Sequence, residues 1–397
     1  MTTINIEPDM QQKLALLSDE ATDEVTDTPS EQSIRAGIQH DTGFIYNASR
    51  ERGGKVKLFK VLQTNACRYA CKYCFTSCAI RRKRTTFKPD ELATTFVSLN
   101  RAKRAEGLFL SSGIVPDANT TMEKMLATVE QLRVREKYRG YIHIKLIPGA
   151  DQEYIERAVQ LADRVSLNLE APNAERLAIL APGKEFAESM WQRMVWAANL
   201  IEQSRREGRQ GARSLTTQFV VGAAGESDRE LLMTVERAHH ELSLKRAYFS
   251  AFHPIEQSPF NEMPAEDPMR AFRLYQADFM LRDYGFTFDE FAFGAEGFLL
   301  RDRTPKQAWA DAHPEYFPVE INQAPRHMLL RIPGIGPQSA ERIRAVQGTT
   351  KMRDLGQLKK LGVVTNWAAP YILLDGRQIL VQSGLWEGLA LDGRGSQ

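Results

Sequence analysis

The chain has 397 residues, with 52 Lys and Arg against 50 Asp and Glu, 43% hydrophobic and 26% charged residues. That composition is globular, and the length predicts two or three domains of roughly 100–200 residues each. The formal net charge of +2 excludes a protein that coats nucleic acid by bulk charge alone, and no apolar run approaches the roughly 18 residues of a membrane span. Met1-Thr-Thr-Ile-Asn-Ile-Glu-Pro-Asp9 has no basic segment leading into an apolar one, so no secretory signal is expected. The expected location is cytoplasmic, with no membrane partner.

The neutral average hides a distribution. Residues 1–40 carry two basic and eight acidic residues, and residues 1–55 read as an acidic, partly ordered arm with a short amphipathic piece at Met10–Leu17. Residues 41–110 carry fifteen basic and five acidic residues. Six strand-like runs follow, at Val56–Gln63, Gly107–Ser112, Tyr141–Ile147, Arg164–Glu170, Thr216–Val221 and Ala247–Phe252. Each is short and bounded by Gly, Pro, Asn or charged residues. Helical patterns lie between them, at Lys88–Ala105, Thr121–Tyr138, Gln152–Ala162 and Asp228–Leu242. Strands alternating with helices of that length predict βαβ units and a parallel sheet. The fold class is α/β: a partial (β/α)6 TIM-type barrel over 56–311. Ala312 to Pro325 is rich in Pro and aromatics and reads as a linker or strap. Residues 326–397 then predict a small all-α domain with tight glycine turns, and 321–397 carries ten basic and five acidic residues.

All four Cys fall at 67, 71, 74 and 78, too crowded for a disulfide scaffold in so long a chain and readable as a metal or redox site. Cys67-Arg-Tyr-Ala-Cys71-Lys-Tyr-Cys74 follows directly on the first strand. Three thiolates on one loop can hold three irons of a [4Fe–4S] cube and leave the fourth open. The competing possibility is a structural zinc on Cys67, Cys71, Cys74 and Cys78. Structural zinc sites usually split their ligands into two separated pairs, so the single cluster favours iron and sulfur. Cys78 reads as a buried small hydrophobe rather than a ligand.

With Leu58-Phe-Lys-Val-Leu-Gln-Thr ahead of Cys67, this motif resembles the radical S-adenosylmethionine (radical SAM) superfamily. Leu108-Phe-Leu-Ser-Ser-Gly113, Pro305-Lys-Gln-Ala-Trp-Ala310 and Pro333-Gly-Ile-Gly336 add a closer resemblance, to DNA modification and repair radical SAM proteins that end in a helix-hairpin-helix domain. The resemblance implies two cofactors, a [4Fe–4S] cluster on Cys67, Cys71 and Cys74 and S-adenosylmethionine chelated by its open iron. It implies one-electron cleavage of the sulfonium to a 5′-deoxyadenosyl radical that takes a hydrogen from the substrate. It also implies a flavodoxin or ferredoxin as electron donor and a glycosylase-like partner. With three of four Cys committed, a second all-Cys cluster is excluded.

The resemblance places Tyr73 near the adenine and Ser112 and Gly113 where the superfamily usually has Gly-Gly-Glu; here Ile114 stands in place of the Glu. Ser166, Asn168 and Glu170 share one strand face and match the ribose and carboxylate position. Gly222 and Gly225 allow close approach of an adenine, and Glu226-Ser-Asp228 also reads as a helix cap. The sixth strand ends at Tyr248-Phe-Ser-Ala-Phe-His253, making Tyr248 and His253 candidate catalytic contacts.

In the C-terminal module, Gly334 and Gly336 permit a tight turn with positive φ, so that backbone N–H groups and the next helix's N-terminus can meet a DNA phosphate. Arg342, Arg344 and Lys351 are expected to assist, and Asp354–Gly362 reads as a second, degenerate hairpin. The expected ligand is DNA without sequence preference. RNA modification, or a non-catalytic DNA-binding role with a structural metal cluster, are the alternatives. The run Arg81-Arg-Lys-Arg84 is a further candidate contact to a nucleic-acid backbone.

Overall fold

The computed structural model describes residues 9–19, 21, 45–49 and 55–378. It divides into two units, one of residues up to 278 with 295–299, the other of residues 279–294 with 300 onward.

The first unit is built on a seven-stranded sheet: β1 (Ile45–Ser49), β2 (Lys55–Leu62), β3 (Gly107–Ser111), β4 (Tyr141–Lys145), β5 (Arg164–Ser166), β6 (Ser214–Val221) and β7 (Arg246–Ala251). The strands lie in chain order. β1 runs antiparallel to β2, and β2 to β7 are parallel throughout. The six expected strands are therefore all present. One edge strand is added from the stretch expected to be an arm. Helix α1 (Met10–Asp19) lies in that stretch too, and its Lys13 pairs with Glu91 at 3.0 Å.

Between the strands run α2 (Pro89–Arg101), α3 (Ala118–Glu130), α4 (Gln152–Leu161), α5 (Ala174–Leu180), α6 (Gln192–Arg206) and α7 (Asp228–Leu242), followed by α8 (Pro268–Asp283). Local chemistry sets their starts. The side chains of Asp117 and Asn173 accept from backbone N–H groups of the first turn of α3 and α5, and Ser227 with Glu230 forms a capping box on α7. The outward faces of the strands are apolar and meet these helices. Phe59 stacks on Phe96 of α2, and Phe219 and Phe249 stack on each other. The inward faces carry polar and charged residues (Lys60, His143, Ser166, Gln218), all buried. Such groups are costly to bury unless they are bonded or bind something, so the inner face is where chemistry is to be sought.

The second unit holds α9 (Pro305–Ala312), β8 (Val319–Glu320), α10 (Arg326–Arg331), α11 (Pro337–Val346), α12 (Leu355–Lys360), α13 (Thr365–Ala368), β9 (Ile372–Leu374) and β10 (Arg377–Gln378). Its core is Ile321, Leu329, Ile332, Ile335, Ile343 and Leu358 with their neighbours. This corrects two expectations. The unit is not all-α, because β8, β9 and β10 form a small sheet. Nor are residues 312–325 a free linker. Val319 pairs with Ile372, and Ile321 and Ala324 are buried in the core. The division also falls ahead of residue 312, placing Pro305–Ala310 in the second unit.

Candidate active site

The cysteine loop begins where β2 ends and is fixed from three sides. Gly113 lies so close to it that an added Cβ would sit 2.3 Å from the Ala66 carbonyl. The Gly113 N–H donates to Thr64 O at 2.7 Å, and Arg68 N donates to Ile114 O at 2.8 Å. Only glycine allows that approach, which accounts for the Ser-Ser-Gly ending of β3. From the far side the Arg84 guanidinium donates to the carbonyls of Asn65, Thr76, Ser77 and Ile80. Arg84 is thus spent on the loop's own backbone and is not available to a nucleic-acid backbone, unlike the expectation for the whole 81–84 run. On the third side Lys72 N donates to Leu180 O at 2.8 Å.

Cys67, Cys71 and Cys74 all open into one pocket of about 1050 Å³, the open solvent in front of it included. Its walls come from the C-terminal end of every parallel strand: Leu62, Ser111, Lys145, Gln218 and Ser250, with Asn168 and Glu170 from the segment after β5. This is where parallel β/α architectures gather their chemistry. Burial raises the Cys71 thiol above its ordinary value, while Lys184 beside it acts in the opposite sense. Burial and the neighbouring Cys71 push Cys74 up to about 12. Among the described residues, no three His, Cys, Asp or Glu side chains converge as ligands of a single ion. A four-iron cube sets its thiolates on different irons, as three thiols on one short loop allow. Cys78 is exposed, with its Sγ 3.4 Å from Arg68 O. It is neither the buried hydrophobe expected nor part of the pocket.

Of the other expected residues, Tyr73, Ser112, Gly113, Asn168, Glu170 and His253 line the pocket. Tyr73 is half-buried beside the Glu170 carboxylate; burial, then Glu170, holds its proton on well above the ordinary range. Glu170 has φ +64°, a left-handed conformation uncommon for a residue with a side chain and found where function over-determines the backbone. Ser166 lies deeper, with its hydroxyl 2.9 Å from His143 Nε2. Tyr248 is buried under Arg246, 4.9 Å away, and does not line the pocket.

Gly222 and Gly225 do not line it either. Both have positive φ, as a tight turn needs, and the space over Gly222 is filled by Glu266, whose atoms lie 2.5–2.7 Å from where a Cβ would be. Their smallness serves this turn, which closes on Glu226 through Gly222 N and Ala224 N.

Sequence reasoning missed Lys184. It sits in the turn after α5 with its side chain 9% exposed and Nζ 3.8 Å from Glu170 Oε1, close enough to Cys71 to act on its charge. Neighbouring Cys71 and Glu170 raise its pKa against the opposing effect of burial. A lone Lys after Pro-Gly carries no signal; only the fold brings it to the thiols.

In the second unit Gly334 has φ +81° and Gly362 φ +89°. Val364 N donates to Gly334 O at 2.9 Å, so the turn before α11 packs on the turn before α13. Gly336, by contrast, is extended (φ −97°) and begins α11, correcting the expectation of positive φ at both glycines. Arg342, Arg344, Lys359 and Lys360 are exposed. Lys351 is paired with Asp375 at 3.1 Å.

Residues 61–238 match the family model described as the Radical SAM superfamily. Members of the superfamily use a [4Fe–4S] cluster and S-adenosylmethionine. No curated protein matches the chain. Among solved structures it is similar to methylornithine synthase (PylB), with 14% identity, TM-score 0.45, 69% of this chain and 76% of that one. It is also similar to a radical SAM methyltransferase from Sphaerobacter thermophilus, with 16% identity, TM-score 0.42 and coverage of 62% and 73%. A third is HydG, a maturase of the [FeFe]-hydrogenase, with 10% identity, TM-score 0.43 and 56% of this chain; the match spans 48% of the maturase.

Proposed function

We propose that this chain, whose residues 61–238 match the Radical SAM family model, is a radical SAM enzyme acting on DNA in modification or repair. The observation that carries the enzymatic part is the opening of Cys67, Cys71 and Cys74 into one pocket at the strand ends. These three thiolates would hold the cluster. When bound, the cluster and S-adenosylmethionine supply one-electron chemistry that abstracts a hydrogen atom from the substrate.

The chain's own residues bind, orient and exclude water. Lys184 offsets the negative charge of the thiolates. Tyr73 stands beside Glu170 and offers its ring to the pocket. Ser112, Asn168 and Glu170 offer polar groups to a ribose and an amino acid moiety. His253 stands exposed on the pocket wall, open to a substrate.

The DNA reading rests on the second unit. Its glycine turns at 333–336 and 361–365 pack on each other, and Arg342, Arg344, Lys359 and Lys360 are exposed in the same unit; we read this as a helix-hairpin-helix. Such groups contact phosphates without reading sequence. A cytoplasmic location, a flavodoxin or ferredoxin donor and a glycosylase-like partner complete the proposal.

Anaerobic reconstitution tests it. We expect a brown protein with about four irons per chain that converts S-adenosylmethionine to 5′-deoxyadenosine under dithionite. Zinc in place of iron, with no cleavage, overturns the enzymatic reading. Duplex DNA should bind with an affinity that falls steeply with salt, and the R342A/R344A variant should flatten that slope. Stronger binding of tRNA than of duplex DNA overturns the DNA reading alone.

A further inference from the structure

The thiols that open into the pocket have different neighbours. Lys184 stands beside Cys71. Cys74 has a hydroxyl instead: its Sγ lies 3.1 Å from Thr76 Oγ1, within the reach of a hydroxyl–sulfur hydrogen bond. The Thr76 hydroxyl has no other partner among the described residues, so nothing else in its surroundings explains where it points.

The chain places this hydroxyl by local means. Cys74 and Thr76 are two residues apart, and the backbone turns between them, with Ser77 N donating to Cys74 O at 3.1 Å. Arg84 holds the turn from outside, donating from Nη1 to Thr76 O at 3.1 Å and from Nη2 to Ile80 O at 2.9 Å. On a backbone fixed in this way a β-branched side chain has few rotamers to choose from. Thr76 is half-buried and lines the pocket, where a hydrogen bond is stronger than it would be in open water.

A thiol and a hydroxyl can each donate, but a thiolate can only accept. A cysteine that holds metal is deprotonated, so in the loaded site the shared hydrogen belongs to Thr76. Hydrogen bonds to ligand sulfurs help to set the potential of an iron–sulfur cluster, and groups behind the ligands hold them in orientation.

We propose that Thr76 is a positioning residue of this site: its hydroxyl donates to the Cys74 thiolate, fixes that sulfur and disperses its negative charge. The bond strengthens when the site takes up an electron, so Thr76 makes the reduced state easier to reach. This deepens the reading of the cysteine loop as a cluster site and rests on that reading.

Redox titration of the reconstituted full chain tests the proposal. Thr76→Val keeps the β-branch and removes the donor; Thr76→Ser keeps the donor and removes the methyl group. We expect Thr76→Val to disfavour the reduced state about fivefold, which is a midpoint potential lower by about 41 mV for one electron. Thr76→Ser should stay within about twofold of wild type, and both variants should keep about four irons per chain. After exchange into D2O, electron–nuclear double resonance of the reduced wild type should show a coupled deuteron that Thr76→Val loses and Thr76→Ser retains. An unmoved potential in an iron-replete Thr76→Val, or a serine variant that shifts as far as the valine one, overturns the proposal. Should valine lose the iron, Thr76→Ala supplies the comparison. Iron lost in both and kept in Thr76→Ser supports the bond, and iron kept in Thr76→Ala with an unmoved potential overturns it. A wild-type chain that takes up no four-iron cluster overturns the functional reading and this proposal with it, whereas a cluster indifferent to residue 76 defeats this proposal alone.

Discussion

Two buried cations in the first unit are held in opposite ways. Arg270 is saturated: its Nε lies 2.7 Å from Asp228, Nη1 2.7 Å from Glu266, and Nη2 2.6 Å from the Glu226 carbonyl oxygen. The ring of Phe298 covers it at 4.8 Å. Its acidic partners are occupied as well, since Asp228 accepts from Leu299 N and Glu226 from Gly222 and Ala224 N. Lys184 instead approaches Glu170 only to 3.8 Å and acts electrostatically on the neighbouring Cys71 thiol. A guanidinium in a closed network holds a loop. An ammonium in loose contact, beside groups that must carry negative charge when a cluster is bound, tunes a site.

The largest expected effect comes from breaking the saturated network. Arg270→Met leaves buried carboxylates facing each other, so we expect a loss of about 3–5 kcal/mol in unfolding free energy, measured by urea denaturation. Retained stability would mean that the network is no more a scaffold than Lys184 is.

Lys184→Met should act on a different observable. Removing a positive charge beside the thiolates makes the reduced, more negative cluster harder to form. We expect a midpoint potential lower by about 60 mV, equivalent to a tenfold change for one electron, and a stability cost below half that of Arg270→Met. An unmoved potential would return Lys184 to the class of Arg270.

His143 sharpens the contrast from the side of pH. Burial, then Arg164, Lys145 and Lys60, depress its pKa well below the ordinary value. The folded state holds it neutral, while the unfolded chain takes up a proton near pH 6.5. Its contribution to stability is therefore present above about pH 6.5 and is lost as pH falls below that. Linkage gives about 0.8 kcal/mol lost between pH 8 and pH 6, and His143→Gln should flatten that part of the profile. A profile identical to wild type would place His143 in water rather than among the cations.

These contrasts follow from what sequence can and cannot carry. The parallel strands were legible because each is a short run bounded by breakers, and α7 starts and ends where its capping residues set it. The cysteine loop was legible because its spacing is local. Regular pairing on β5 stops at Ser166, although Leu167 N, Leu169 N and Glu170 N go on bonding to β6; no pattern in the residues marks that break. Lys184 reaches the thiols only because the turn after α5 packs over the cysteine loop, as the Lys72 N to Leu180 O bond shows. Gly222 looked like room for a ligand because sequence does not show that Glu266 folds over it. β8 and β10 are two residues each, too short for any period to register.

The smallest effect belongs to Cys78, and it bears on the cysteine loop itself. Spacing alone leaves four Cys available for metal. The structure separates them: three line the pocket, and Cys78 faces solvent with its backbone N–H tied to Tyr69 O at 3.0 Å and its Sγ against Arg68 O. Serine preserves size and can make the same bond to that carbonyl. Cys78→Ser should therefore change stability by less than about 0.5 kcal/mol, as surface substitutions do, and leave the iron content after reconstitution unchanged. Serine at 67, 71 or 74 should abolish the cluster. A loss of iron in Cys78→Ser comparable to that in Cys71→Ser would mean that the loop rearranges to use four thiolates, and the open coordination position on which the proposed chemistry depends would be gone.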